Sequence, residues 1–426
     1  MVKQASILRE LQSIVGKKHA RRPKNERDCA VDDLSPQAVA EPGSYEEVAE
    51  VLRFVNVERL GVIPRGAGWR LRLGNIPSRY DIALSLTRLD KVVEHEPADL
   101  TVTCQAGLPV GQLQEQLSLS RQMIPGGRLK YYPETIGGIL AGTMSKLPNS
   151  PRDFTIGMRI VTGEGRIVKA GGKVVKNVAG YDLCKLFIGS LGTLGVILEA
   201  TFKLFPIPDV ETGLELEFRS IEDIAQFTGE LRRSGMLGIS MYAQPVERPA
   251  FDGHPPFSAF LGAVQIAGSR SAVDRSMREV QAIANSCHAR ADAGGNIPAQ
   301  GEGTTTNALR HHPLSCSASV LASEVPTLVH AFEAEPPTPS LDIHPLQGIV
   351  TGTWHNVADQ AGLHGRLRAA AARLGGTLTV RNCSPDLKRQ IDVFGPPPPS
   401  FPLMRAVKQQ FDPNNVLSPG RFVGRL

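Results

Sequence analysis

Between Gly137 and Gly195 the chain places twelve glycines in 59 positions, where average usage of about 7% would give about four. They are grouped as "TIGG" at 135–138, "AGG" at 170–172 and "GSLGTLG" at 189–195, and an earlier group, "PRGAG", lies at 64–68. Glycine tolerates positive φ and lets a ligand approach the main chain. Successive bare N–H groups then form a concavity for anionic oxygens. Two familiar nucleotide patterns do not fit. The phosphate loop G-x-x-x-x-G-K-[ST] is absent. A G-x-G-x-x-G fingerprint must follow a strand and open a helix; "GAGWRL" has Leu71 at the third glycine position, and "GSLGTLG" follows the helical "YDLCKLFI" and precedes a strand. What remains is a site where separate glycine loops converge on one extended ligand. Ordinary tight turns of a β-rich domain are the alternative.

The elements that would carry these loops alternate. "SYEEVAEVLRFVNVERLG" predicts a helix, with Ser44 and Glu47 as a capping box and Gly61 as its stop. A strand "VIP" leads into "PRGAG"; "DIALSL" and "LTVTCQAG" are strand-like, and "PVGQLQEQLSL" is helical. "FTIGMRIV" and "GRIVKAG" form a hairpin around "TGEG". In the strand after the last glycine group, Val196, Leu198, Ala200, Phe202 and Leu204 face one way, and Glu199, Thr201 and Lys203 the other. "LFPIPDV" at 204–210 marks a boundary. Beyond it the strand-like "GLELEFRS", a helix from about Ile221 to Arg233 and the strand-like "GISMYAQP" begin a second theme, resumed by "GIVTGTWH", a helical "GLHGRLRAAAARLGG" and "TLTVRNC". That pattern predicts an antiparallel sheet with helices on one face, interrupted by loops such as "GGNIPAQGEGTTTN". The fold class expected is α+β.

Composition bounds the rest. The chain has 426 residues, 41% hydrophobic and 21% charged, with a net charge of +5, which describes a globular protein of two or three domains. The charge favours an anionic ligand but no Lys/Arg block resembles a nucleic-acid stripe. The densest basic run, "KKHARRPKNER" at 17–27, reads as a solvated arm. No window approaches the ~18 apolar residues of a membrane helix, and "SILRELQSIVGKK" is an amphipathic helix, not a signal peptide; the expected location is cytoplasmic. The six cysteines never pair as C-x-x-C, so no zinc or iron–sulfur site is expected within the chain.

The order of "VIPRGAG", "TIGG…LAG", "RDFTIGMRIVTGEGRIVKAGGKVVKNVAGYDLCKLFIGSLGTLGVILEATFKLFP" and the tail "FDPNNVLSPGRF" resembles the FAD-linked oxidases of the vanillyl-alcohol oxidase type, also called PCMH-type. Within that superfamily "GGKVVKNVAGYDLCKLFIGSLGTLGV", "IDVFGPPPPS" and "LSPGRFVGRL" are most similar to the FAD-binding E subunit of glycolate oxidase. The resemblance implies an N-terminal helix and arm at 1–35, a PCMH-type FAD-binding domain of two α/β subdomains at 36–208, a cap or substrate-side α+β domain with an antiparallel sheet at 209–380, and a C-terminal segment at 381–426 returning to the FAD domain. It implies that Arg65, Gly66, Ala67 and Gly68 wrap the pyrophosphate through their N–H groups. Thr135, Ile136, Gly137 and Gly138 would line the pyrophosphate and flavin edge, Gly192, Gly195 and Ile197 would pass near the ribose and adenine, and Arg421 would add a cation.

The chain also departs from that pattern. Many relatives attach FAD covalently through a histidine near the first glycine loop; "GAGWRLRLG" has none, so FAD is expected to be non-covalent. Trp69 stands where relatives carry a small hydroxyl residue, and "TMSKLPNSPRDF" is shorter than the usual family version. Hydride abstraction from a 2-hydroxy acid needs a base and a cation for the carboxylate. The H-x-G-D-G-N-x-H run of catalytic relatives has no counterpart, and the histidines are scattered; catalytic residues and metal ligands are not assigned. The expectation is an FAD-binding subunit of a glycolate oxidase-type complex, acting on a small 2-hydroxy acid beside a catalytic flavoprotein subunit and an iron–sulfur subunit, without nucleic acid and without direct membrane insertion. A self-sufficient FAD-dependent dehydrogenase and a non-catalytic scaffold of the same fold are the alternatives.

Overall fold

A computed structural model of the chain describes residues 4–125, 134–143, 150–173, 181–236, 239–248, 257–293 and 313–426. Residues 144–149 of "TMSKLPNSPRDF", residues 176–180 of "KNVAGYDL", the segment "GGNIPAQGEGTTTN", and His311 and His312 lie outside the described residues. The chain divides into two units. One comprises Met1–Ile207 with Ile391–Leu426, the other Pro208–Gln390.

The first unit contains two main sheets. Strands β1 (Ala20–Arg21), β2 (Ala38–Ala40), β3 (Val62–Arg65) and β4 (Ile82–Ser85) are ordered β1-β2-β4-β3, with β2 and β3 each parallel to β4. Strands β5 (Val92–Glu96), β6 (Thr101–Gln105), β8 (Thr155–Val161), β9 (Ile167–Gly171) and β10 (Val196–Lys203) are ordered β5-β6-β10-β8-β9, all antiparallel; β7 (Gln122–Met123) pairs with β11 (Phe205–Pro206). The hairpin of β8 and β9 is the one expected around "TGEG". The helix Tyr45–Glu58 buries Val48, Val51, Leu52 and Val55, and these join one apolar cluster that includes residues of both sheets. Ser44 accepts from the Glu47 amide at 3.1 Å, but the Glu47 carboxylate reaches Gly43 N at 2.7 Å instead of closing a reciprocal box. The helix ends at Arg59, in the left-handed region at φ 53°, two residues before Gly61.

One local expectation is corrected. The basic run is not a free arm: Ala20 and Arg21 pair with β2, Ala20 is buried, and Arg21 bonds Asp28 at 2.5 Å. Strand β10 is buried on both faces, because it lies between β6 and β8 and its polar side is closed as well. Thr201 bonds Thr103 at 2.8 Å, and Glu199 takes a hydrogen bond from Tyr45 at 2.8 Å and an ion pair from Arg159 at 3.2 Å.

The second unit is built on one antiparallel sheet of eight strands: β12 (Val210–Phe218), β13 (Ile239–Arg248), β14 (Phe257–Gly268), β15 (Arg290–Ala293), β16 (Leu314–Ser319), β17 (Ser340–His344), β18 (Ile349–Trp354) and β19 (Thr377–Asn382), in the order β15-β12-β14-β13-β17-β18-β16-β19. Helices Ile221–Arg233, Arg270–Ser286, Val325–Glu333 and Gln360–Arg373 pack against it. The alternation is plain in β16, where Leu314, Cys316 and Ala318 are buried and the serines between them are half-buried.

Candidate functional site

Strand β3 ends at Arg65, and the chain then runs bare through Gly66, Ala67 and Gly68. Beyond the carboxyl ends of parallel strands is where ligands of open α/β sheets bind. A cleft open to solvent lies there, lined by residues 64–71, by Glu134, Thr135, Gly138, Ala141 and Gly142, by Leu191 and by Arg421. All of these belong to the first unit.

Each wall has a local cause. Gly66 lies against the Thr135 side chain, so closely that a Cβ on it would overlap the hydroxyl. Gly68 has φ +91°, which only glycine adopts freely. Thr135 caps the short helix Ile136–Gly142 by accepting from Gly138 N at 3.3 Å. Arg70 ties the two loops together: it bonds Glu134 at 2.9–3.0 Å and donates to Gly142 O at 3.2 Å. The tail closes the back, with Asn75 N on Arg421 O at 3.0 Å and Ser78 N on Pro419 O at 2.8 Å; a Cβ on Gly74 would meet that same Arg421 oxygen at 2.6 Å.

The cleft is electropositive and under-satisfied. Among the described residues no acceptor receives the amides of Gly66, Ala67 or Gly68. Arg421 is 3% exposed; its Nη2 donates to Leu71 O at 2.6 Å and to Leu73 O. Its Nε has no hydrogen-bond partner among the described residues, and neither does Arg65 Nε. Burial holds the Arg421 guanidinium down at about 10, with Asp32 and Tyr80 acting in the opposite direction, so it is charged at neutral pH. The carboxylate in the wall, Glu134, is already neutralised by Arg70. A buried cationic group left without a partner is costly; a diphosphate would satisfy it and take up the open amides of residues 66–68 as well.

The sequence-derived residues separate into two sets. Arg65, Gly66, Ala67, Gly68, Thr135, Gly138 and Arg421 come together in the cleft wall. Ile136, Gly137, Gly192, Gly195 and Ile197 are not in it. Ile136 N and Gly137 N are spent on Leu108 O and Ala106 O at 3.0 and 2.7 Å. Cβ atoms on Gly192 and Gly195 would strike Pro64 at 2.7 Å and Phe187 at 3.1 Å, so these glycines serve close packing. The loop 189–195 reaches the cleft only through Leu191, itself at φ 54°. The Arg70–Glu134 tie was not read from the sequence; its partners are 64 positions apart, and no spacing signals it. Trp69, 40% exposed, lines the wall without filling it.

Residues 36–171 match the FAD binding domain family model. Over 92% of this chain and 89% of its own length, the glycolate oxidase subunit GlcD of Bacillus subtilis (strain 168) is 26% identical. The glycolate oxidase subunit GlcE of Escherichia coli (strain K12) is 38% identical, over 32% of this chain and 40% of its own length. The likeness to the E subunit is therefore local, and the whole-length likeness to the D subunit corrects the reading of the chain as most similar to E. Among solved structures, 4-ethylphenol oxidase from Gulosibacter chungangensis superposes with a TM-score of 0.73 at 16% identity, covering 99% of this chain and 97% of that one.

Proposed function

We infer that the chain, whose residues 36–171 match the FAD binding domain family model and whose fold is that of 4-ethylphenol oxidase, holds the pyrophosphate of non-covalent FAD in the cleft beyond β3 and acts as an oxidoreductase on a small 2-hydroxy acid. The observation that carries this reading is the convergence of Arg65–Gly68, Thr135, Gly138 and Arg421 on one cleft, with three amides and two guanidinium Nε atoms unspent. Gly66, Ala67 and Gly68 would donate to phosphate oxygens through the main chain, and Arg421, fixed by two carbonyls, would neutralise charge from below. Bound FAD supplies the acceptor for a hydride from the carbinol carbon of the substrate. Among the described residues of the wall there is no histidine, in keeping with a dissociable cofactor.

The likeness to two subunits of glycolate oxidase supports a place in a multi-subunit complex, with an iron–sulfur partner taking the electrons onward. Acid precipitation of the holoprotein should leave yellow FAD in the supernatant; flavin retained in the pellet would reject the non-covalent reading. The isolated chain should bind FAD yet reduce dye only slowly with glycolate or another 2-hydroxy acid. Rapid turnover by the chain alone would replace the complex with a self-sufficient dehydrogenase. A colourless preparation that takes up no added FAD would reject both.

A further inference from the structure

Three arginines line the cleft, and they are held in different ways. Arg70 is paired with Glu134 at 2.9 Å, so its charge is spent inside the protein. Arg421 is held by two main-chain carbonyls. Arg65 has no carboxylate within ion-pair distance among the described residues; its Nη1 donates to the sulfur of Cys29, while its contact to Ala67 O is long, at 3.5 Å. Cys29 is 6% exposed and fixed on every side. Its carbonyl takes the Tyr80 hydroxyl at 2.7 Å, and its thiol donates to Asp28 Oδ1 at 3.3 Å. Asp28 is itself anchored by Arg21 at 2.5 Å and by Lys24 N at 2.8 Å. Because the thiol proton is committed to Asp28, the sulfur presents its lone pairs to Arg65. A neutral acceptor orients the guanidinium without cancelling its charge, as a carboxylate would.

We propose that Cys29 is a positioning residue of the cofactor site: its sulfur holds the Arg65 guanidinium at the rim of the cleft, uncancelled by any carboxylate among the described residues, to receive the phosphate oxygens of a dinucleotide. The basic segment around Arg21 thereby acts on ligand binding through Asp28 and Cys29, at a distance of more than thirty positions from the loop it serves. The role rests on the reading of the cleft as an FAD pyrophosphate site. It concerns the phosphates alone, so the flavin ring should not sense it.

The experiment compares FAD, ADP and riboflavin, which share either the phosphates or the ring, on the full chain stripped of cofactor. Cys29→Ala should weaken FAD and ADP about tenfold and leave riboflavin unchanged, the loss expected when a charged donor loses its anchor. Cys29→Ser, whose hydroxyl accepts the same bond, should recover most of that loss. Arg65→Gln should reproduce the Cys29→Ala pattern, and the double variant should bind no worse than Arg65→Gln alone. Equal weakening of FAD and riboflavin would reduce Cys29 to a packing residue and overturn the proposal. So would unaltered ADP binding in Cys29→Ala, or fully additive losses in the double variant. Should Cys29→Ala not fold, Arg65→Gln decides: ADP binding unchanged in it overturns the proposal as well. A wild-type chain that binds neither FAD nor ADP rejects the cleft reading itself, a result distinct from any of these.

Discussion

Arg421 carries its charge where water does not reach, and no carboxylate pairs with it among the described residues. In the cofactor-free protein this costs stability; an anionic ligand would return it. Replacing Arg421 with Met should therefore change the melting temperature of the apoprotein little, since the lost carbonyl contacts offset the relief of burying a lone cation. The effect belongs in the increment that FAD adds. A tenfold weaker site loses about 1.4 kcal/mol of ligand stabilisation at fixed FAD, and thermal melts with and without the cofactor would record it. An unchanged FAD increment in Arg421→Met would remove this residue from the site. Gly66→Ala tests the opposite wall, because its Cβ would overlap the Thr135 side chain. FAD uptake should fall while the far-UV spectrum keeps its shape.

At the scale of elements, the motif "FDPNNVLSPGRF" proves to be a loop wound around one carboxylate. Asp412 accepts the amides of Val416 and Leu417 at 3.0 and 2.8 Å, and Lys408 one helical turn earlier bonds Asp412 at 2.5 Å, Thr193 O at 2.8 Å and Leu417 O at 3.0 Å. Burial pulls the Lys408 pKa down, and the Asp412 charge works against that. Lys408→Met would leave Asp412 buried without its cation, a loss of about 3–5 kcal/mol to be read from the midpoint of urea unfolding. A shift below about 1 kcal/mol would mean that the loop stands without the pair. None of this was legible beforehand, since Lys408 and Thr193 are 215 positions apart. What periodicity could show, it showed: the helix Ile221–Arg233 and the hairpin of β8 and β9 fall where the pattern put them. Strands β16 and β17 and the helix Val325–Glu333 went unread because each is short, with too few residues for a period to declare itself. The glycines were legible as an excess but not as roles. Gly66 and Gly68 open a cleft, while Gly192 and Gly195 make room for Pro64 and Phe187; a string of letters looks the same in both cases.

At the scale of the whole molecule, the two tryptophans divide between the two units. Trp69 stands in the cleft wall of the first; Trp354 is fully buried in the second, 5.3 Å from the Phe332 ring, with its indole N–H on Glu335 O at 3.1 Å. Trp69→Phe therefore leaves a chain whose fluorescence reports the second unit alone. That unit carries an acid weakness. His364, 5% exposed on the helix Gln360–Arg373, is held near 4, first by burial and then by the charge of Arg368, against an ordinary value of 6.5. Below about 6.5 the unfolded chain binds a proton that the folded chain refuses, so stability declines as pH drops toward 4 and levels once the folded state protonates too. At pH 5 the deficit amounts to at most about 2 kcal/mol. Denaturant titrations of Trp69→Phe should show the Trp354 transition moving to lower denaturant between pH 7 and pH 5. Adding His364→Leu should remove most of that movement while leaving the pH 7 midpoint close to its starting value, since an apolar side chain of similar size replaces a buried neutral imidazole. If the acid shift survives His364→Leu undiminished, the lability lies with other groups and the buried imidazole does not set the acid limit of the second unit.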